Sequence, residues 1–140
     1  MKTLEISVVS ENSGESLIRI SRLLAGGNVN LMAVTVTEVN QQQILKIIVE
    51  HPDIAAHILK DAGFQVEKTT VLAIALDDRP GAMAEVLELL AKNSIRPEYL
   101  YSILSGREKM ADIIFKVNDP DKGESLLMKS GYSVPVSFQK

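Results

Sequence analysis

The stretch LDDRPGAMAEVLELLAKNSIR, residues 76–96, can be laid on SENSGESLIRISRLLAGGNVN, residues 10–30, and that overlay decides how the chain is organised. Displaced by 66 positions, Leu23-Leu24-Ala25 falls on Leu89-Leu90-Ala91 and Ile47-Ile48 on Ile113-Ile114. After a two-residue insertion the displacement becomes 68, which pairs Pro52-Asp53 with Pro120-Asp121, Gly63-Phe64 with Gly131-Tyr132 and Val66 with Val134. Leucine pairs alone carry little weight, but an ordered series of matches makes each copy of about 70 residues a unit of folding. We place the copies at residues 1–68 and 69–140.

Within each copy the hydrophobic period changes in one order. Leu4, Ile6 and Val8 alternate with Glu5 and Ser7, as in a strand, whereas Leu17, Ile20, Leu23 and Leu24 recur at helical spacing. Two β-branched runs around the turn Asn40-Gln41-Gln42 predict a hairpin. Pro52 opens a second helix, Gly63 closes it, and residues 65–68 form a short last strand. The second copy predicts a strand over 71–76, a helix over 80–93, a hairpin around Ser105-Gly106-Arg107, a helix over 121–130 and a strand over 134–138. The expected fold is α+β: two ferredoxin-like βαββαβ domains in tandem, each an antiparallel sheet with both helices on one face.

With 46% hydrophobic residues and a mean hydropathy of +0.10, the chain has apolar material for such cores. A net charge of −3 and a pI near 5.4 provide no basic field for nucleic acid or anionic lipid. The absence of cysteine excludes disulfides, zinc–thiolate clusters and thiol nucleophiles. Glu5 and the polar run after it interrupt any secretory signal, and no apolar run reaches the roughly 18 residues of a membrane span. The expectation is a soluble, cytoplasmic protein.

Catalytic signals are weak. His51 and His57 both sit in the first copy, at or on its second helix, without a nucleophile beside them, and read as surface or helix-terminus residues. Asp77-Asp78, Asp119 and Asp121 stand just before helices, where carboxylates cap free N–H groups more often than they bind a cation. Tyr99, Tyr101 and Phe115 are too few, on an acidic chain, for a sheet that stacks RNA bases, and read as packing or ligand-lining residues. In the loop before the second copy's first helix, Asp78 can cap, Pro80 suits the first turn and Gly81 lets another group approach the backbone. The N–H groups of Gly81, Ala82 and Met83 would then offer a carboxylate a binding place.

The βαββαβ order together with DDRPGAMAEVLELLAKNSI, residues 77–95, and LLAGGNVNLMAVTV, residues 23–36, resembles the ACT domain, a small regulatory module that binds amino acids. The resemblance covers essentially the whole chain as two ACT domains without a catalytic domain. It implies a non-catalytic protein with a free amino acid as ligand and a metabolic enzyme as partner; no cofactor or metal is expected, and exposed sheet faces and edges favour a homodimer. It also implies a ligand between modules, held by Asp78, Arg79, Pro80, Gly81, Ala82 and Met83 of one loop and by Asn30 at the start of a facing second strand. Leu31, Met32, Leu76 and Met83 are candidates to surround the ligand side chain.

The first copy departs from this pattern at Asn12, Ser13, Gly14 and Glu15, where Gly14 stands for the proline and Glu15 for the glycine, and Arg96 occupies the place of Asn30. A second site built from Asn12, Ser13, Gly14 and Arg96 would be chemically different from the first. The alternative is a structural adaptor that assembles with an enzyme and binds no small molecule.

Overall fold

The computed structural model describes residues 1–11, 14–103 and 109–139. Its elements are β1 (Lys2–Glu11), α1 (Gly14–Gly26), β2 (Leu31–Val39), β3 (Gln42–Val49), α2 (Pro52–Asp61), β4 (Gln65–Asp77), α3 (Ala82–Lys92), β5 (Pro97–Ile103), β6 (Met110–Val117) and α4 (Pro120–Lys129), followed by a 3-10 turn over Val136–Phe138. Two compact units result: an N-terminal unit, Leu4–Thr69, and a C-terminal unit, Thr70–Lys140 with Met1–Thr3. Both have the α+β, antiparallel architecture expected.

In the N-terminal unit β3 pairs with β1 and β2, setting Ile6 opposite Ile47 and Val8 opposite Leu45. The side chains on that face meet Ile20 and Leu24 of α1 and Ala55, Ala56 and Leu59 of α2 in one buried cluster. Helices and strands thus bury one stripe each against the other, the arrangement that period 3.6 and period 2 encode. Asn40 and Gln41 both take positive φ, 51° and 67°, as a tight hairpin turn between twisted strands requires.

The C-terminal unit repeats the construction. Leu72 and Ile74 of β4 lie opposite Phe115 and Ile113 of β6, and they pack with Val86 and Leu90 of α3 and Leu127 of α4. The displacements of 66 and 68 found in the sequence carry Ile6, Ile20, Leu24 and Leu59 onto Leu72, Val86, Leu90 and Leu127, all at most 1% exposed. The repeat is therefore a repeat of core positions. Helix ends repeat as well: Gly63 and Gly131 take φ of 93° and 90°, and the following N–H groups of Phe64 and Tyr132 donate back to Leu59 and Leu127 at 3.0 Å.

Three expectations change. The short strand over 65–68 and the strand over 71–76 are parts of a single strand, β4. The helix expected from Pro80 starts at Ala82, because Gly81 at φ 90° places the bend after the proline. The last strand, expected over 134–138, is reduced to one bridge between Ser133 and Ala75, followed by the 3-10 turn. Pro135 has no N–H to extend that ladder. The N-terminus lies against β4 instead: Ala73 N–H donates to the Met1 carbonyl at 2.9 Å. Lys2 secures it, its N–H donating to Glu124 at 2.8 Å and its ammonium pairing with Asp121 at 2.6 Å. The turn Ser105-Gly106-Arg107 lies outside the described residues.

Candidate functional site

At the end of β4 the chain makes a tight loop before α3. Asp78 N–H donates to Lys109 O at 2.8 Å, Arg79 N–H to Asp77 O at 3.0 Å, and Ala82 N–H to Arg79 O at 3.3 Å. Gly81 is the residue before the helix and holds a left-handed φ of 90° that other residues adopt only under strain. A Cβ there would meet nothing nearer than Arg79 Nη1 at 4.0 Å, so its cost is backbone strain without a clash. Gly81→Ala is expected to lower stability by about 1–3 kcal/mol, read as a lower urea midpoint at unchanged slope.

Arg79 organises the charges of the loop. Its guanidinium donates to both carboxylate oxygens of Glu85, at 3.2 and 2.7 Å, and its Nε lies 3.6 Å from Asp77 Oδ2. The two parallel bonds match the planar fork of arginine to a carboxylate. Glu85 and, after it, Asp77 strengthen the hold of Arg79 on its proton, while Arg79 pulls the Glu85 carboxyl below its usual range. All three side chains remain about half exposed or more, so water screens the pairs.

These groups border a cleft of about 180 Å³ whose far wall is Ser130, Gly131, Tyr132 and Ser133. The positive φ of Gly131 turns this segment after α4, and the Ser133 carbonyl anchors it by accepting from Ala75 N–H at 2.9 Å. Tyr132 has its phenol pushed up, first by burial and then by the Glu85 charge, with Arg79 opposing. Two carboxylates, one guanidinium and a phenol thus face a space with the volume of about six waters.

The residues singled out from sequence fall in different places. Arg79, Ala82 and Leu76 line the cleft, although Leu76 is 3% exposed and belongs to the core. Met83 is partly buried against the same core. Asp78 is exposed without a capping bond, and Pro80 and Gly81 form the bend beside the cleft. Asn30 and Leu31 belong to the N-terminal unit, at the start of β2: the Asn30 carbonyl accepts from Glu50 N–H at 3.4 Å, and Leu31 borders a separate apolar cavity of about 190 Å³. Gly14 opens α1, while Asn12 and Ser13 lie outside the described residues. Arg96 follows the C-terminal end of α3, about 16 Å of helix away from the Gly81 bend, with its N–H bonded to Asn118 Oδ1 at 2.7 Å.

Sequence reasoning missed Glu85 and Tyr132. A signal was present in the repeat: Glu85 aligns with Arg19 and Tyr132 with Phe64, and in the N-terminal unit Arg19 sits 5.0 Å over the Phe64 ring. The two copies thus carry opposite charge at equivalent positions.

This chain belongs to a family described as an ACT domain pair, whose match covers residues 1–134. Over 95% of its length it is similar to a protein of known structure from Bacteroides thetaiotaomicron, 32% identical, with 91% of that chain covered and a TM-score of 0.89. Its fold is also similar to the regulatory subunit of aspartate kinase from Thermus thermophilus, in a ligand-free form: TM-score 0.67, 11% identity, 91% of this chain and 92% of that one. The corresponding subunit from Thermus flavus gives 0.60 at 8% identity, with 92% and 95% covered. No curated protein sequence matches the chain.

Proposed function

We propose that this protein is a non-catalytic regulatory module that binds a free amino acid at the loop between β4 and α3. The observation that carries the reading is the convergence of Asp77, Arg79, Glu85 and Tyr132 on one small cleft beside the Gly81 bend. Membership of the ACT domain pair family supports it, as does a fold shared with proteins described as regulatory subunits of aspartate kinase. A ligand ammonium has two carboxylates to accept it, and a ligand carboxylate has Arg79 and the start of α3. Asp78 completes the loop in this reading, and Asn30 and Leu31 are the further residues it assigns to the ligand. Ligand binding then favours one arrangement of the protein over another and so alters its assembly or a partner enzyme, since only differential affinity shifts such an equilibrium.

One observation favours the adaptor alternative: Arg79 already has a bidentate carboxylate partner, so the loop charges satisfy one another without a ligand. Thermal denaturation against the common amino acids separates the two. A ligand present at 100 times its Kd adds about 2.7 kcal/mol and raises the midpoint by roughly 5–10 °C. Asp78→Ala and Asn30→Ala are each expected to shrink that shift. If no amino acid at millimolar concentration moves the transition, the adaptor reading stands; a shift that survives both substitutions puts the ligand elsewhere.

A further inference from the structure

Helix α1 and strand β2 do not close fully on each other. Leu17, Ser21 and Leu24 share one stripe of α1 at helical spacing. Val34 and Val36 of β2 stand opposite Ile47 and Leu45 of β3, and residues directly opposite in a ladder share a face, so all four point toward the helices. Between the stripe and the strands lies a cavity of about 190 Å³ bordered by these side chains. Among the described residues that border it, Ser21 is the only polar one. Strand β2 ends the strand order, and Val34 and Val36 are 54% and 41% exposed, so the cavity opens to solvent along that edge.

The second copy puts larger side chains at the same place. The displacement of 66 carries Ser21, Val34 and Val36 onto Leu87, Leu100 and Ser102. The ladder of β5 and β6 sets Phe115 opposite Leu100, where that of β2 and β3 sets Ile47 opposite Val34. Leu87 packs on the core of its unit, and Phe115 is fully buried in it. An isobutyl group and an aromatic ring thus stand where the first copy has a hydroxymethyl and a sec-butyl group. The bulk that the first copy lacks is that of a small ring.

We infer that this cavity is a binding site for a small uncharged aromatic molecule carrying one hydroxyl or N–H group. The walls favour the ring: a cavity of about 150 Å³ lined by Leu, Ile and Phe takes up benzene. The Ser21 hydroxyl can donate to or accept from the single polar group. Charge selects against an amino acid, because no charged side chain borders the cavity and a buried ammonium or carboxylate would lose its water without a partner. The site therefore differs in ligand class from the cleft at Arg79, and either reading can fail alone.

Titration of the isotope-labelled full chain with p-cresol, followed through amide chemical shifts, tests the inference. A ligand of this size is expected to bind with a Kd of about 0.1–1 mM and to move the amides of Ser21, Val34 and Val36 most. Ser21→Ala keeps the space and removes the hydroxyl, and is expected to weaken binding about two- to tenfold. Ser21→Leu, at an exposed helix position, and Ile47→Phe bring in the bulk of the second copy. Each is expected to weaken binding by about tenfold or more, with circular dichroism showing the fold retained. Free phenylalanine is expected to leave these amides unmoved. The inference is overturned if p-cresol at about 5 mM moves none of them. It is equally overturned if the response persists in Ser21→Leu, or if phenylalanine moves the same amides as strongly.

Discussion

Phe115→Ala is expected to cost about 3–5 kcal/mol, the largest loss from a single truncation in the C-terminal unit. Phe115 is fully buried on β6, opposite Leu72 of β4 and Leu100 of β5. It belongs to the cluster that holds Val86, Leu90 and Leu127 of both helices against the sheet. Removing the ring takes away its transfer free energy and leaves a cavity that the paired strands around it cannot close. Net stabilities of domains are about 5–15 kcal/mol, so the variant forfeits a large share. Urea denaturation monitored at two probes measures it; a loss under about 1.5 kcal/mol would mean that the cluster is not packed as described. The corresponding position of the first copy is Val49, 4% exposed, so its truncation there costs less for want of a ring.

Gly123→Val is expected to cost about 3 kcal/mol for the opposite reason. Gly123 is on the inner side of α4, and a Cβ there would lie 3.0 Å from Leu72 Cδ1 and 3.5 Å from Val117 Cγ2. An alanine needs only a few tenths of an ångström of movement from a flexible leucine methyl, and gains up to about 1 kcal/mol of helix propensity, so Gly123→Ala stays near neutral. The first copy supports that split, because its equivalent residue, Ala55, is fully buried. Valine adds two further methyl groups where Leu72, Val117 and Ile95 already stand, forcing strained rotamers or a displaced helix. The pair of variants is read by thermal or urea midpoint; a valine variant as stable as the alanine one would show that α4 can lift from the sheet freely.

The candidate site was only partly legible. Asp78, Arg79, Pro80 and Gly81 are contiguous, and a Pro-Gly pair between a strand pattern and a helix pattern marks a bend from sequence alone. Glu85 lies one turn into α3, where an exposed acid reads as ordinary solvated surface until Arg79 is seen folding onto it. Tyr132 is about fifty residues from the loop, and its arrival depends on where α4 ends and on the bridge from Ser133 to Ala75.

By itself the sequence determined the duplication, the order of elements short of the last strand, the buried stripe of α1 through Ile20 and Leu24, and the helix stops at Gly63 and Gly131. Each is written in local periodicity or in a residue whose backbone preference acts over a few neighbours. Ile54, read from its spacing as part of the inner face of α2, is instead 51% exposed. Tertiary structure alone decided that Met1–Thr3 and a single Ser133 bridge take the place expected for a last strand. It also decided that Glu85 and Tyr132 meet at the Arg79 loop. Pairing of an edge strand depends on which distant segment offers N–H groups at the right spacing, and a cleft depends on which side chains converge after the core has closed. Neither property has a period in the sequence.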